Sequence, residues 1–153
     1  MNNGKRFEQD FKKSVPKSVY YYRFRDGTSA WGNQDNTRFQ ATNLCDCLLY
    51  ARGQLHLLEL KSYKGKSLPF SGIRKNQIDG LLNASQFGIN AGFVIKLDGE
   101  AYYIDVESVD QFIKTSERKS IPLQFLQDNG IYIPRVKLKV NYRYDIGVML
   151  WVD

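Results

Sequence analysis

The sequence predicts an α/β domain in which a mixed central β-sheet is flanked by α-helices. Apolar runs of strand length alternate along the chain with amphipathic stretches of helix length, the pattern of a sheet packed against helices. Turns that contain glycine join neighbouring strands. The 153 residues are enough for one hydrophobic core but too few for two. We therefore expect a single domain over residues 1–153.

The first third of the chain predicts a helix, a strand and a long exposed segment. Residues 4–14 place Phe7 and Phe11 four positions apart, as in a helix that buries one side. A strand is expected over 19–25. Residues 26–43 contain glycines and asparagines with little apolar periodicity, so we expect an exposed loop or short stalk there.

The next two apolar runs, 44–50 and 55–61, predict a β-hairpin, because a short segment containing glycine separates them. If the loop consists of Arg52 and Gly53 alone, opposed residues have numbers that sum to 105. The length of the turn therefore predicts the register of the two strands.

This register brings charged side chains together. It places Asp46 directly across from Glu59, and Leu44 across from Lys61. Glu59 and Lys61 share one face, because side chains along a strand alternate between its two faces. Opposed carboxylates repel each other, and burying them without compensation is costly. The pairing therefore calls for a compensating partner.

A hard divalent cation would compensate both carboxylates. Carboxylate oxygens and a main-chain carbonyl such as that of Leu60 are ligands that suit Mg²⁺. Lys61 would then stand beside the ion, where an ammonium can orient or help deprotonate a water and stabilise charge on a phosphate. The alternative is a surface hairpin with a solvated Glu–Lys pair, but the apolar residues around the pair favour a functional site.

The rest of the chain predicts helices and strands in alternation, with one short helix near the end. We expect a helix over 73–87, a strand over 92–97, a turn at 98–99, a strand over 101–106, a helix opened by a capping box of Ser108 and Gln111 and ending near Ser116, a short helix over 122–129, and a strictly alternating strand over 135–144.

The charge balance favours a polyanionic partner. Lysine and arginine exceed aspartate and glutamate by 22 to 16, which gives a net charge of +6, and the basic residues crowd the first and last segments. Nucleic acid fits this distribution better than an acidic membrane, because no long amphipathic anchor is present. With neither a signal peptide nor an apolar run of membrane-spanning length, we expect a cytoplasmic protein.

The two cysteines, Cys45 and Cys47, predict small buried side chains. With only His56 in addition, a zinc site lacks ligands, and a disulfide between residues two apart on one strand would be strained. In the predicted register His56 faces Leu49, away from Asp46, so we assign it no role as a ligand or general base.

Three further patterns leave alternatives open. The run 20–22 of tyrosines is more typical of strand core than of a base-stacking platform. Trp31, Phe39 and Arg38 could contact opened bases or pack locally within their loop. The basic face of 135–143 could follow phosphates or form a solvated edge that discourages aggregation.

The arrangement of Asp46, Glu59 and Lys61 resembles the PD-(D/E)xK nuclease superfamily, whose restriction-endonuclease-like fold is a mixed sheet flanked by helices. Further stretches resemble one family within it, the RecU-type Holliday-junction resolvases. These stretches are the leading helix Gly4-Lys-Arg-Phe-Glu8, the segment Phe70 to Gln77, the strand Gly92-Phe-Val-Ile95, and the run from Arg118 to Gly130.

The chain also departs from the family pattern. Cys45 replaces the usual proline before the first aspartate, and Asn76 stands where histidine is usual. Residues 26–43 are shorter than the family's stalk, and the long N-terminal arm of many cellular members is missing, so a short phage-type member is one reading of the resemblance.

The resemblance implies a metal-dependent, structure-selective DNA endonuclease that resolves four-way junctions by paired symmetric nicks, as a homodimer, with Mg²⁺ or Mn²⁺. It implies that Asp46 and Glu59 hold the ion with the Leu60 carbonyl, that Glu8 joins them, that Lys61 assists catalysis and that Gln77 positions the site. We expect DNA contacts from Lys5, Arg6, Arg38, Arg74, Lys75, Lys137 and Lys139.

Two alternatives remain open. The first is a nuclease of the same fold that acts on a flap, a branched end or a specific duplex site. The second is a DNA-binding module without catalysis.

Overall fold

A six-stranded mixed β-sheet forms the centre of the computed structural model, which describes residues 2–25 and 43–151. The expected loop or stalk therefore lies outside the described residues, apart from Asn43. In chain order the elements are α1 (Asn3–Ser14), β1 (Tyr20–Arg23), β2 (Cys47–Ala51), β3 (Gln54–Tyr63), β4 (Ser67–Pro69), a 3₁₀ turn (Phe70–Gly72), α2 (Lys75–Ser85), β5 (Asn90–Leu97), β6 (Glu100–Asp105), α3 (Val106–Thr115), β7 (Ser120–Pro122), α4 (Leu123–Asn129), β8 (Ile131–Ile133), β9 (Arg135–Lys137), β10 (Tyr142–Tyr144) and α5 (Gly147–Leu150).

The strands of the central sheet lie in the order β1-β2-β3-β5-β6-β8. Only β3 and β5 run parallel, and the other neighbours in this sheet are antiparallel, so the predicted mixed sheet is confirmed. Two small antiparallel pairs, β4 with β7 and β9 with β10, lie outside it. In the described ranges no helix is long and apolar enough to cross a membrane.

The sheet separates two hydrophobic layers. On one side α2, α3 and α4 pack over a core that includes Leu57, Leu81 and Phe93. On the other side α1 and α5 cover a core that includes Phe7 and Phe11, both almost fully buried. Truncating a buried phenylalanine costs about 3–5 kcal/mol, so these two rings fasten α1 to the sheet.

The β2–β3 hairpin has the predicted turn and register. Arg52 and Gly53 have φ angles of 51° and 74°, the left-handed conformation that a two-residue turn needs to match the twist of the strands. The pairs from Cys47 with Leu58 to Ala51 with Gln54 all sum to 105, as predicted. The hairpin therefore presents the odd-numbered side chains of β3 toward α2.

Before Cys47, the predicted pairing of Leu44 with Lys61 is wrong. Asp46 continues the pairing through its main-chain N–H, which donates to the Leu58 carbonyl at 3.1 Å, but β2 begins only at Cys47. Leu44 does not lie in a strand across from Lys61. It packs instead against α2, where a Cβ added to Gly80 would meet Leu44 Cδ1 at 2.2 Å.

The predicted helices needed two corrections. The expected helix over 73–87 is the shorter α2, preceded by the 3₁₀ turn. In α3 the cap is Asp105, which accepts a hydrogen bond from the Ser108 N–H at 2.8 Å, so Ser108 is not the first residue of a capping box. An aspartate at the end of a strand is as good a cap as serine, and it starts the helix earlier.

Two other predictions were wrong: a single strand over 135–144 and a core position for Tyr20 and Tyr22, although the strand expected over 19–25 is present as β1. Residues 135–144 form the β9–β10 hairpin and not one strand, because the chain turns after Lys137 and the Leu138 N–H donates to the Asn141 carbonyl at 2.7 Å. Tyr20 and Tyr22 are exposed rather than core, since they lie on the outer face of β1 at the sheet's edge. Tyr50, paired with Tyr20, is exposed as well, so β2 is not buried on both faces.

Candidate active site

Glu59 and Lys61 project from the same face of β3 toward α2. The Glu59 residue is only 5% exposed, although it carries a carboxylate. The Lys61 ammonium lies 3.1 Å from Glu59 Oε1 and is itself mostly shielded from solvent. A glutamate at this depth needs charge-assisted partners, and the lysine two residues along the strand is one of them.

Asp46 is attached to the same strand by its side chain. Its Oδ2 accepts a hydrogen bond from the Leu60 N–H at 2.8 Å, while its own N–H donates to the Leu58 carbonyl. These two bonds hold the carboxylate against β3 beside Glu59. Asp46 and Glu59 are thus close, as expected, because Asp46 bonds to β3 although it lies just before the first residue of β2.

Gln77 is the third group on Glu59. It lies in the first turn of α2, is 7% exposed, and its Nε2 donates to Glu59 Oε1 at 2.7 Å. Its Oε1 accepts the Arg74 N–H at 3.3 Å, so the same side chain caps the helix. Both ends of the amide are engaged, which defines the direction in which it faces the carboxylate.

The two carboxylates disturb each other's ionisation. The pKa of Glu59 is raised to about 7, mainly by burial and then by the neighbouring Asp46 charge, while Lys61 acts in the opposite direction. Burial also raises the pKa of Asp46, against the Leu60 hydrogen bond, and the Glu8 charge acts in the same direction as burial. The site therefore holds more negative charge than its protein surroundings neutralise.

Glu8 lies near this pair but has its own partner. It projects from α1 and forms an ion pair with Arg23 of β1. Within the described ranges, no group of three histidine, cysteine, aspartate or glutamate side chains has the spacing of a metal site. Glu8 is therefore close enough for its charge to act on Asp46, while its carboxylate is paired with the Arg23 guanidinium.

The donor chemistry fits a divalent cation. Asp46 and Glu59 are shielded oxygen donors whose pKa values are raised, so a nearby positive charge would stabilise their ionised forms. Oxygen ligands from one or two carboxylates, completed by water, suit Mg²⁺ and similar ions. The buried cysteines are not part of this set, because burial raises the pKa of Cys45 to about 12 and both thiols are free.

The residues expected to contact DNA are solvent-facing where they are described. Lys5 and Arg6 lie on α1, Arg74 and Lys75 at the start of α2 beside Gln77, and Lys137 and Lys139 on or next to β9. Arg38, Trp31 and Phe39 lie outside the described residues. The sequence did not indicate Arg23 as the partner of Glu8, because the two residues lie in different elements, β1 and α1, and no local sequence pattern predicts their contact.

A shielded carboxylate pair and a lysine on the hairpin of a mixed sheet flanked by helices define a nuclease of the restriction-endonuclease-like fold. The chain belongs to the RecU family of Holliday-junction resolvases: the family model described as Recombination protein U matches residues 5–146.

Two known proteins illustrate the likeness, one in sequence and one in fold. The chain is 28% identical to the SPbeta prophage-derived uncharacterized protein YotM of Bacillus subtilis (strain 168), in an alignment covering 94% of this chain and 82% of that protein. The fold of this chain is similar to that of Hjc, a Holliday junction resolvase from the archaeal hyperthermophile Archaeoglobus fulgidus. The TM-score with Hjc is 0.55 at 18% identity, over 84% of this chain and 95% of Hjc.

Proposed function

We propose that this protein resolves four-way DNA junctions as a homodimer, by two symmetric nicks that leave 5′-phosphates, with Mg²⁺ as the natural cofactor and Mn²⁺ as a substitute. The observation that carries the proposal is the shielded pair of Asp46 and Glu59, with Lys61 at 3.1 Å from Glu59. Such a concentration of negative charge has a purpose in phosphodiester hydrolysis and is otherwise a cost to folding.

Asp46 and Glu59 would hold the ion, with the Leu60 carbonyl as a main-chain ligand and Glu8 in support. When bound, a divalent cation supplies positive charge next to the phosphate and lowers the pKa of water. Asp46 keeps its carboxylate against β3 through the Leu60 N–H, so it enters the reaction already oriented. Glu8 has to leave or share its contact with Arg23 in order to take part.

Lys61 acts on the reacting atoms in this scheme. Its ammonium donates hydrogen bonds to the attacking water and to the phosphate oxygen on which negative charge grows. The contact with Glu59 limits the positions that the flexible lysine stem can take. Gln77 does not touch the substrate in this scheme and is a positioning residue, because its hydrogen bond fixes the Glu59 carboxylate that holds the ion.

The proposed dimer follows from the symmetry of the substrate. A four-way junction has two-fold symmetry, and two matched nicks need two active sites related by the same axis. Recognition should depend on shape and on backbone phosphates, because the exposed side chains expected to reach DNA are lysines and arginines.

Cleavage of a synthetic immobile four-way junction and of linear duplexes of the same sequence tests the proposal. We expect Mg²⁺-dependent nicks in the junction and little cleavage of the duplexes. Glu59→Ala should abolish nicking and retain junction binding in Ca²⁺. Preferred cleavage of flaps, branched ends or a duplex site would assign another substrate, and nicking unchanged by Glu59→Ala would identify a non-catalytic DNA-binding module.

A further inference from the structure

A second group of charged side chains surrounds a cavity at the end of β3 and β5. The cavity measures about 280 Å³, and we call it the Lys96 pocket; its walls include Asn3, Ser62, Lys64, Lys96, Arg135 and Tyr142. Lys96 pairs with Ser62 across the parallel strands, one step beyond the pair of Lys61 with Ile95. Because side chains alternate, the pocket opens on the α1 side of the sheet, whereas Lys61 faces α2.

Two cations in the pocket share one aromatic ring. The Arg135 guanidinium lies 3.8 Å from the centre of the Tyr142 ring, and Lys96 Nζ lies 5.7 Å from the same centre. In the described part of the chain, Lys64 adds a third positive charge to the wall, and Asp98 is the single carboxylate among the lining residues. The walls of the pocket therefore carry an excess of positive charge.

The surroundings of Lys96 do not fully neutralise it. Burial lowers the pKa of Lys96, and the charges of Arg135 and Arg6 lower it further, while Asp10 acts in the opposite direction. A bound anion would relieve this repulsion. Arginine offers a planar fork of donors and lysine a compact charge, a combination that suits the oxygens of a phosphate.

We propose that the Lys96 pocket binds a backbone phosphate of the DNA close to the one that is cleaved. This rests on the proposed function, since it assigns a second contact to the same substrate. Tyr63, the last residue of β3, lines the pocket and lies two residues beyond Lys61, about 7 Å along the strand, so the pocket and the reacting centre can engage phosphates of one DNA arm. Arg135, the first residue of β9, would then be part of the DNA-binding surface.

Junction binding in Ca²⁺ at several salt concentrations tests this contact. We expect Lys96→Met and Arg135→Gln each to weaken binding about tenfold at low salt. The double variant should reduce the slope of log K against log salt by about 0.9, the share of one phosphate. Lys13→Gln is the control: Lys13 is exposed in the last turn of α1, about 15 Å along the helix from Asn3, and its loss should change the affinity far less.

Single neutral methylphosphonates identify the ligand. A methylphosphonate at one internal position near the nick should weaken binding by the wild type. The same methylphosphonate should have no further effect on binding by Lys96→Met, because both changes remove the same contact. The assignment to a backbone phosphate would be overturned if Lys96→Met changed only the response to removal of a terminal phosphate. It would also be overturned if Lys96→Met changed only the competition by inorganic phosphate. Variants that bind no more weakly than Lys13→Gln would overturn it too.

The outcome is separable from that of the proposed function. If the wild type nicks junctions with Mg²⁺ but the pocket variants bind like the control, the second contact alone is wrong. If the wild type leaves bound junctions intact, the resolvase proposal is wrong, and the binding assay still decides whether the pocket contacts DNA. Thermal melting of each variant checks that a loss of affinity does not come from unfolding.

Discussion

Gln77 Nε2 donates to Glu59 Oε1 across 2.7 Å, so a helix packed on the sheet holds the buried carboxylate of β3. The bond joins residues that are 18 positions apart, and it connects the first turn of α2 with the reacting centre. The hairpin, the helix and the site therefore depend on one another.

Loss of this bond should slow cleavage without weakening DNA binding. We expect Gln77→Ala to lower the single-turnover nicking rate about 10–100-fold, because residues that orient a metal ligand have effects of this size. Gln86→Ala removes a similar, exposed side chain at the other end of α2 and should leave the rate unchanged. Equal rates for Gln77→Ala and wild type would contradict the positioning role.

The crowded carboxylates should destabilise the protein when no metal is added. In EDTA at about pH 8, Asp46→Asn should increase the free energy of unfolding by about 1 kcal/mol, because the amide can still accept the Leu60 N–H while the repulsion with Glu59 is gone. Urea denaturation measures this change.

The control for that experiment is a surface aspartate. Asp110→Asn breaks the exposed pair with Lys114 and should change stability little, because water screens such pairs. Added Mg²⁺ should stabilise the wild type and have little effect on Asp46→Asn. Lower stability of Asp46→Asn in EDTA would show that the two carboxylates are not in conflict.

His56 should make the protein less stable as the pH falls below about 6.5. Burial lowers the pKa of His56, and its Nε2 has no hydrogen-bond partner among the residues that the structure describes, so the folded state resists protonation that the unfolded chain accepts. The stability it contributes is present above the unfolded pKa and is lost as the pH falls toward the folded pKa.

This histidine is the only one in the chain, so NMR can follow its imidazole protons without ambiguity. The titration midpoint should lie below about 6.5 in the folded protein. His56→Leu should remove part of the acid sensitivity, measured as the difference from wild type across the same pH range. A midpoint at or above the ordinary value would refute the role of burial.

Two glycines should respond differently to replacement by alanine. A Cβ at Gly92 would lie 2.4 Å from the Ile104 carbonyl oxygen and 3.0 Å from Asp105 Cα, so two strands would have to separate, at a cost of about 1–3 kcal/mol. A Cβ at Gly80 meets the movable tip of Leu44, and alanine favours the helix. Urea denaturation should rank Gly92→Ala below Gly80→Ala, and the reverse order would contradict the packing described.

The hairpin could be predicted from the sequence because its geometry is local. A two-residue turn determines which residues oppose each other, and alternation then puts Glu59 and Lys61 on one face. Gln77 could be predicted only from family resemblance, since no local rule indicates which residue of α2 meets β3. The Glu8 pairing with Arg23 escaped both arguments, because it depends on how α1 lies across the edge strand.

The C-terminal segment shows why an alternating pattern can mislead. Val136, Leu138 and Val140 alternate with charged residues but are all exposed, so the alternation does not report a buried face. The reversal depends on a main-chain hydrogen bond between Leu138 and Asn141, without a glycine or proline to indicate it. Lys96 was overlooked because it is a single charge in β5, a strand that after Asn90 consists otherwise of apolar residues and one glycine.

Single-turnover cleavage of an immobile four-way junction, with nicks mapped on all strands, tests the central claim most directly. With Mg²⁺ the wild type should give two symmetric nicks with 5′-phosphates. Glu59→Gln should bind equally in Ca²⁺ and nick at least about 10²-fold more slowly. A wild type that binds the junction and leaves it intact, or a Glu59→Gln variant that nicks at the wild-type rate, would contradict the account.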